Sequence, residues 1–344
     1  MKSFTCARNA LTIAISNPQL RYFSAAGTQS YRGPLDGSAP LASPMQNEIE
    51  WLTTFFQQSK NVLVLTGAGI STSSGIPDYR GPNGSYKRGH KPMTHSEFMT
   101  SESSRKRFWA RSMVGWQNVS DATPNNAHFA LAKLEAAGRC AGVITQNVDR
   151  LHFKAGSTNV IDLHGRVDQV RCQCCKKPMP RNEWQYAMTS ANASFMENMK
   201  QMQKEKKLQL DSAAAKNTNL RADGDAELNL EDYSMINVPS CGSCGGILKL
   251  DVVMFGDNVP ADLVGRAYEH VDRCDSLLVV GTSLEVFSAY RFVRRAHQNS
   301  AKIAIVNYGE TRAERDKLAS IVFKSDANCA ELLHEVANQV VGYK

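Results

Sequence analysis

At 344 residues and 37.9 kDa the chain has room for one large domain with insertions or for two modest ones. Apolar residues at 42% and charged residues at 21% exclude a collagen-like or wholly disordered chain, and no run approaches the roughly 18 apolar residues of a membrane-spanning helix. A net charge of +7 hints at nucleic acid, while nine cysteines with two C-x-x-C pairs argue for a metal in a reducing compartment, against a secreted disulfide scaffold.

The first acidic residue is Asp36. Before it stand Lys2, Arg8, Arg21 and Arg32, with Ser and Thr interspersed and a short apolar stretch from Leu11 to Ile15. Residues 1–35 therefore have the composition of a mitochondrial or plastid transit peptide, with Arg21-Tyr22-Phe23-Ser24 as a candidate processing site; a disordered basic tail is the plainer alternative. The mitochondrial matrix is the expected location and the plastid the second choice. Without these residues the net charge falls to +3, so nucleic-acid binding is not expected.

A linker covers residues 36–46, within a stretch rich in Pro, Gly, Ser and Ala. Ile49, Leu52, Phe55 and Phe56 recur at helical spacing and predict the first helix. Short apolar runs follow at Asn61–Thr66, Gly142–Thr145, Val160–Leu163, Ser276–Gly281 and Lys302–Asn307, separated by helical patterns such as Asn126–Ala137. Buried strands alternating with helices predict an α/β fold, a Rossmann-like doubly wound parallel sheet whose ligands sit beyond the carboxyl ends of the strands. Residues 47–165 and 247–344 are assigned to it. From about 180 to 239 the chain lacks strand-like runs and carries Met188, Met196, Met199 and Met202 with a lysine-rich patch. This stretch reads as one solvated helix with a flexible polar continuation.

Gly67-Ala68-Gly69-Ile70-Ser71 follows the first strand, where glycines let a backbone approach a pyrophosphate at a helix N-terminus. Thr72 stands at the third glycine position of the dinucleotide fingerprint, and no acidic residue ends a second strand about 20 residues on, so a dehydrogenase is disfavoured. Instead Gly75-Ile76-Pro77-Asp78-Tyr79-Arg80-Gly81 supplies a carboxylate and a guanidinium on a punctuated segment, suited to closing over a dinucleotide or, more plainly, a surface turn. Gln146, Asn147 and Asp149 end one strand, and His164 before Gly165 ends another; amides and a carboxylate there suit ribose hydroxyls and a carboxamide, with His164 as general base. His152 reads as ordering its loop. Gly281-Thr282-Ser283 and Asn307-Tyr308-Gly309 end two more strands and suit ribose and adenine contacts.

Cys172 and Cys175 form one C-x-x-C pair and Cys241 and Cys244 the other, the pattern of a closed structural Zn²⁺ site. A redox pair is the rival reading, but such pairs come singly and open a helix after a strand. A small zinc module over 166–246, enlarged by the insertion at about 180–239, is expected.

Together these residues resemble the sirtuins, NAD-dependent protein deacylases. The motifs occur in that family's order over roughly Glu48 to Leu333, including Val252-Val253-Met254-Phe255-Gly256. Finer features are similar to the class II mitochondrial branch typified by sirtuin four. They are Tyr79 within Pro-Asp-x-Arg, Phe108-Trp109-Ala110-Arg111 with Val114-Gly115-Trp116, Pro124-Asn125-x-Ala127-His128, and Ser283-Leu284-x-Val286 with Tyr290-Arg291-Phe292. The resemblance implies that NAD and an acylated protein lysine bind between the large domain and the zinc module. It implies that Ala68, Asp78, Tyr79 and Arg80 belong to a cofactor-binding loop. Gln146, Asn147 and Asp149 would line the nicotinamide and ribose pocket, and Gly281, Ser283, Asn307 and Cys329 would contact the adenosine half. Val253, Phe255 and Gly256 would pair with the substrate backbone as an added strand.

In the family mechanism the acyl-lysine oxygen attacks C1′ of the nicotinamide ribose as nicotinamide leaves. His164, with Asn147 and Asp149 beside it, then serves as base towards a ribose hydroxyl, and the products are free lysine and O-acyl-ADP-ribose. The Tyr-x-x-Arg pair of desuccinylating relatives is absent from Tyr86-Lys87-Arg88-Gly89-His90-Lys91, so a preference for succinyl is not expected, with Arg88 or Lys91 as alternative carboxylate contacts; lipoyl or other non-acetyl acyl groups are the candidates. Asp251 and Met254 replace the family's more usual proline and phenylalanine. Two other readings stay open: a protein mono-ADP-ribosyltransferase on the same fold, and a catalytically silent zinc- and NAD-binding module.

Overall fold

The computed structural model describes residues 42–342 apart from 82–83, 88, 210–220, 229 and 231. The transit-peptide assignment, most of the linker and the Arg88 contact lie outside the described residues. In chain order the first half contains α1 (Gln46–Gln58), β1 (Val62–Thr66), a 3-10 helix (Ala68–Ser74), α2 (His95–Thr100), α3 (Glu102–Ser120), α4 (Asn126–Ala136), β2 (Gly142–Thr145), α5 (Leu151–Lys154) and β3 (Val160–Asp162). Then come β4 (Gly165–Cys172), β5 (Pro178–Pro180), α6 (Arg181–Ala191), α7 (Ala193–Gln209) and β6 (Leu248–Val252). The last part contains α8 (Ala261–Arg273), β7 (Ser276–Val280), α9 (Phe287–Gln298), β8 (Lys302–Val306), α10 (Arg312–Arg315), β9 (Ile321–Ser325) and α11 (Cys329–Val341).

Six parallel strands form one sheet in the order β3-β2-β1-β7-β8-β9. The chain runs outward from β1 through β2 to β3, then restarts beside β1 at β7 and runs the other way. The order therefore reverses between β1 and β7, where a doubly wound sheet opens a crevice at its carboxyl edge. Alternate residues of each strand feed opposite cores. Val62, Val64, Leu278, Val280, Ala304 and Val306 pack under α1, α4 and α11, and Leu63, Leu65, Leu277, Val279, Ile303 and Ile305 pack under α8 and α9. Because both faces are covered, these strands are continuously apolar in sequence.

A second, antiparallel sheet in the order β5-β4-β6 carries the small module. Gly165 pairs with Val252 and Cys172 with Leu248, so β6, assigned from sequence to the large domain, belongs to the small sheet and moves its boundary to about residue 252. The insertion differs more. In place of one solvated helix there are α6 and α7, which bury Trp184, Met188, Phe195 and Met199 against Trp109, Met113 and Trp116 of α3. The Trp109 and Trp184 rings meet edge to face at 5.1 Å. Arg181 is buried beneath Trp116, donating to the Ser112 carbonyl and hydroxyl at 3.2 Å. No described helix is long and apolar enough to cross a membrane.

Candidate active site

A cleft of about 1330 Å³ opens at the carboxyl ends of β1, β2, β3, β7 and β8 and extends to the small sheet. At its floor the turns after β1 and β7 press backbone to backbone. Gly69 N–H donates to the Gly281 carbonyl at 2.8 Å, and a Cβ on Gly281, which has φ +60°, would lie 2.3 Å from Ile70 N. Only glycine fits there. Ala68 and Gly69 reach the cleft, whereas Gly67 packs against Thr282 and Ile70 is fully buried in the core. Those two, expected at the cofactor, hold the turn in place from behind. The helix that follows is a 3-10 helix ending before Gly75, which has φ +80°.

At the end of β2, Asn147 Nδ2 donates to the Gly67 carbonyl and the Ser71 hydroxyl, both at 3.1 Å. The Ser71 hydroxyl in turn donates to Asp149 Oδ2 at 2.7 Å, and Asp149 Oδ1 caps α5 by accepting from Leu151 N–H at 2.9 Å. Burial raises the Asp149 carboxyl above its ordinary value, opposed by those two donors. Gln146 Nε2 donates to the Thr282 hydroxyl at 2.9 Å, tying β2 to the loop after β7. Thr66 of β1 joins this network, donating to the Thr145 hydroxyl at 2.8 Å and lying 3.0 Å from His152 Nε2. His152, expected to order its loop, is buried.

His164 lies at the cleft wall with Nδ1 3.1 Å from the Gln146 carbonyl and Nε2 2.8 Å from the Ser288 hydroxyl. Burial lowers its pKa to about 4, opposed by the Gln146 carbonyl and aided by the Arg291 guanidinium. The imidazole is therefore neutral at physiological pH. Of the residues expected at adenosine, Ser283 and Thr282 line the cleft, and Asn307 Nδ2 braces its own loop through the Tyr308 and Gly309 carbonyls at 3.0 Å. Cys329 sits at the start of α11 with Sγ 4.0 Å from the Gly69 carbonyl, its thiol pushed up to about 12 by burial. Asp78 accepts from Gly81 N–H at 2.8 Å, and Arg80 lies 4.9 Å over the Tyr86 ring, itself 5.3 Å from Tyr79.

Val253 N–H donates to the His164 carbonyl at 2.9 Å, and the Phe255 carbonyl accepts from His95 N–H at 2.9 Å. These bonds hold one side of the Val253-Met254-Phe255-Gly256 segment, which lines the cleft beyond β6. Sequence reasoning missed the opposite wall. Ala222, Asp223 and Asp225 of the insertion line the cleft, with Asp225 held by Arg111 of α3 at 2.7 Å. Burial and the neighbouring Asp225 raise Asp223 to about 6. The sequence signal was slight: two acids flanking Gly224, opposite a glycine, Gly115, in α3.

The Sγ atoms of Cys172, Cys175, Cys241 and Cys244 all lie within 4.8 Å of one another, with Cys172 to Cys244 at 3.5 Å and Cys175 to Cys241 at 3.8 Å. A tetrahedron with metal–sulfur bonds of about 2.3 Å has edges of about 3.8 Å, so the four thiols fit a zinc ion. Each knuckle is closed by a left-handed residue, Lys176 at φ +61° and Gly245 at φ +72°. Cys174 is outside the cluster.

A profile of the Sir2 family matches residues 67–288. The chain belongs to the Sir2 family, the sirtuins. It is 46% identical over 296 residues to an NAD-dependent protein deacetylase 2 of Bradyrhizobium diazoefficiens, covering 86% of this chain and 99% of that one. It is 42% identical to the NAD-dependent protein deacylase SRT2 of Arabidopsis thaliana, covering 85% of this chain and 77% of that one. A solved complex of Sir2 with a p53 peptide and NAD+ superposes with a TM-score of 0.59 at 31% identity, covering 83% of this chain and 95% of the other. The six-stranded parallel sheet is thus part of a Sir2 fold, and the four-cysteine cluster is compatible with a zinc-binding module beside it.

Proposed function

We propose that the protein is an NAD-dependent protein-lysine deacylase that releases nicotinamide and O-acyl-ADP-ribose. The observation that carries this reading is His164, a neutral imidazole pinned at Nδ1 by the Gln146 carbonyl, at the wall of a cleft large enough for a dinucleotide and a side chain. Bound NAD supplies the ADP-ribosyl group that accepts the acyl chain. The chain's own residues bind and orient it. Gly69, Thr282, Ser283 and Asn307 would hold the adenosine half, Asn147 and Asp149 with Ser71 would meet the nicotinamide ribose, and His164 Nε2 would take a proton from a ribose hydroxyl. Cys172, Cys175, Cys241 and Cys244 would hold a zinc ion that fixes the small module, and four thiolates would leave it no open position for chemistry.

For the acyl group we infer a non-acetyl preference, with lipoyl among the candidates. The cleft runs past Phe108 and Ser112 of α3 and Leu250 of β6 to the acidic wall at Asp223, room for a long neutral tail and a poor match for a terminal carboxylate. The acid-free basic leader supports a mitochondrial address.

The test is a panel of lysine peptides bearing acetyl, lipoyl, glutaryl, methylglutaryl and long-chain groups, assayed with NAD by mass spectrometry. O-Acyl-ADP-ribose formed by the wild type and lost in His164→Ala is expected. A protein mass gain of one ADP-ribose without deacylation would instead support the transferase. Deletion of residues 1–35 is expected to leave the protein in the cytosol.

A further inference from the structure

The Gln146 carbonyl can only accept a hydrogen bond, so His164 Nδ1, 3.1 Å away, carries the ring proton. Nε2 is then the acceptor, and the Ser288 hydroxyl 2.8 Å from it is the donor. An imidazole nitrogen has one lone pair, in the plane of the ring. The lone pair that makes His164 a base is therefore already occupied before any substrate arrives. Ser288 sits in the first turn of α9, where its carbonyl accepts from Arg291 Nε at 3.1 Å, and His164, Ser288 and Arg291 all line the cleft. A substrate hydroxyl and Ser288 cannot both donate to the same lone pair.

We propose that Ser288 is a positioning residue whose hydroxyl holds His164 Nε2 in the place that a ribose hydroxyl of NAD takes, and that it turns away as substrate binds. This rests on the deacylase reading for the identity of the incoming hydroxyl, but the resting hydrogen bond stands without it. The bond has two consequences. It fixes the rotation of the ring so that Nε2 faces the cleft, and it favours the neutral form, since a donor to the lone pair is lost when that nitrogen is protonated. The charged group acting on the ring is Arg291, one turn along the same helix, and it works in the same direction.

The experiment compares wild type with Ser288→Ala and Ser288→Thr. Long-range ¹H–¹⁵N spectra of the histidine rings are recorded through a pH titration without NAD, with His164→Gln giving the assignment, and steady-state kinetics are measured with an acyl-lysine peptide. In the wild type His164 should show the Nδ1–H tautomer. Loss of one hydroxyl hydrogen bond should raise its pKa by about half to one unit in Ser288→Ala. Freed from competition, KM for NAD should fall about 3- to 10-fold, the change appearing in KM rather than in kcat. Threonine, which keeps the hydroxyl, should restore both values. An Nε2–H tautomer in the wild type would overturn the proposal even if neither variant folds. So would an unchanged titration and KM in Ser288→Ala, or a hundredfold loss of kcat at constant KM, which would make Ser288 a proton relay. A wild type that deacylates no peptide would overturn the proposed function, a result separate from the titration.

Discussion

The segment around Gly224 can be detached from α3 without touching the catalytic groups. Arg111→Ala removes a guanidinium whose Nε and Nη2 reach the two Asp225 carboxylate oxygens at 2.7 and 2.9 Å, with side chains 18% and 16% exposed. Breaking a buried pair on one side costs about 3–5 kcal/mol; here Arg221 still faces Asp225, so about 2–4 kcal/mol is expected. Gly115→Ala acts on the same contact by shape alone, because its Cβ would lie 2.1 Å from the Gly224 carbonyl oxygen. Backbone cannot yield as a side-chain tip does, so the segment around Gly224 must move off the helix. The segment is held locally, by these contacts and by Ala226 N–H to the Arg111 carbonyl at 3.3 Å, so the loss should open the cleft wall before it unfolds the protein. Both variants should raise KM for a long-chain acyl peptide about tenfold or more, equivalent to about 1.4 kcal/mol, while acetyl-peptide KM changes less than threefold. Hydrogen exchange at Ala222 and Ala226 should quicken in both. Equal losses across all acyl lengths, or wild-type exchange in both variants, would refute the reasoning.

Removal of zinc by chelation, or Cys241→Ser, should unfold the small module, because a structural zinc supplies on the order of 10 kcal/mol of folding free energy; metal content and the near-ultraviolet signal of Trp109 and Trp184 should fall together, and an unchanged melting curve would count against the site. Gly281→Ala should destabilise by more than about 2 kcal/mol, from φ +60° and a Cβ 2.3 Å from Ile70 N, and should abolish the rise in melting temperature that NAD confers on the wild type. His128 is fully buried with its pKa lowered to about 4 by burial, so between pH 6.5 and 4 the unfolded chain binds a proton that the folded chain refuses, and stability is lost as pH falls. His128→Leu removes that term, so its deficit against wild type should shrink by about 2 kcal/mol between pH 7 and pH 5, as read by denaturant titration; a constant deficit would show that the histidine is not held neutral.

The strands that build the catalytic edge were readable because they are buried on both faces. Val62–Thr66 and Ser276–Val280 have no exposed residue and so no polar interruption. β9 was not readable. It is an edge strand with Val322 37% exposed, and its apolar run is only Ile321-Val322-Phe323 before Lys324. β6 was hidden by Lys249, which is buried with Nζ donating to the Leu250 carbonyl at 3.1 Å and to the Val252 carbonyl, a polar residue spent on backbone that no pattern reveals. The two C-x-x-C spacings pointed to the four cysteines that the fold brings together. Ser288 carries no motif at all: its partner lies 124 residues earlier, and only folding brings α9 to His164.

Burial gives the cleft one electrostatic character. It lowers His164, raises Asp149, and raises Asp78 against the Gly81 N–H, so these three groups are pushed towards their neutral forms. For a base this has two sides. An imidazole held at about 4 instead of near 6.5 is unprotonated throughout the physiological range, yet it is weaker as a proton acceptor by about 3 kcal/mol. Its strength returns when negative charge enters beside the Arg291 guanidinium as an anionic dinucleotide binds, whereas the ribose hydroxyl that replaces Ser288 at the lone pair only exchanges one donor for another. The acid limb of kcat/KM reports the free enzyme and that of kcat the complex. The kcat limb should therefore lie at higher pH than the kcat/KM limb, and coincident limbs would mean that occupancy of the cleft does nothing to the base.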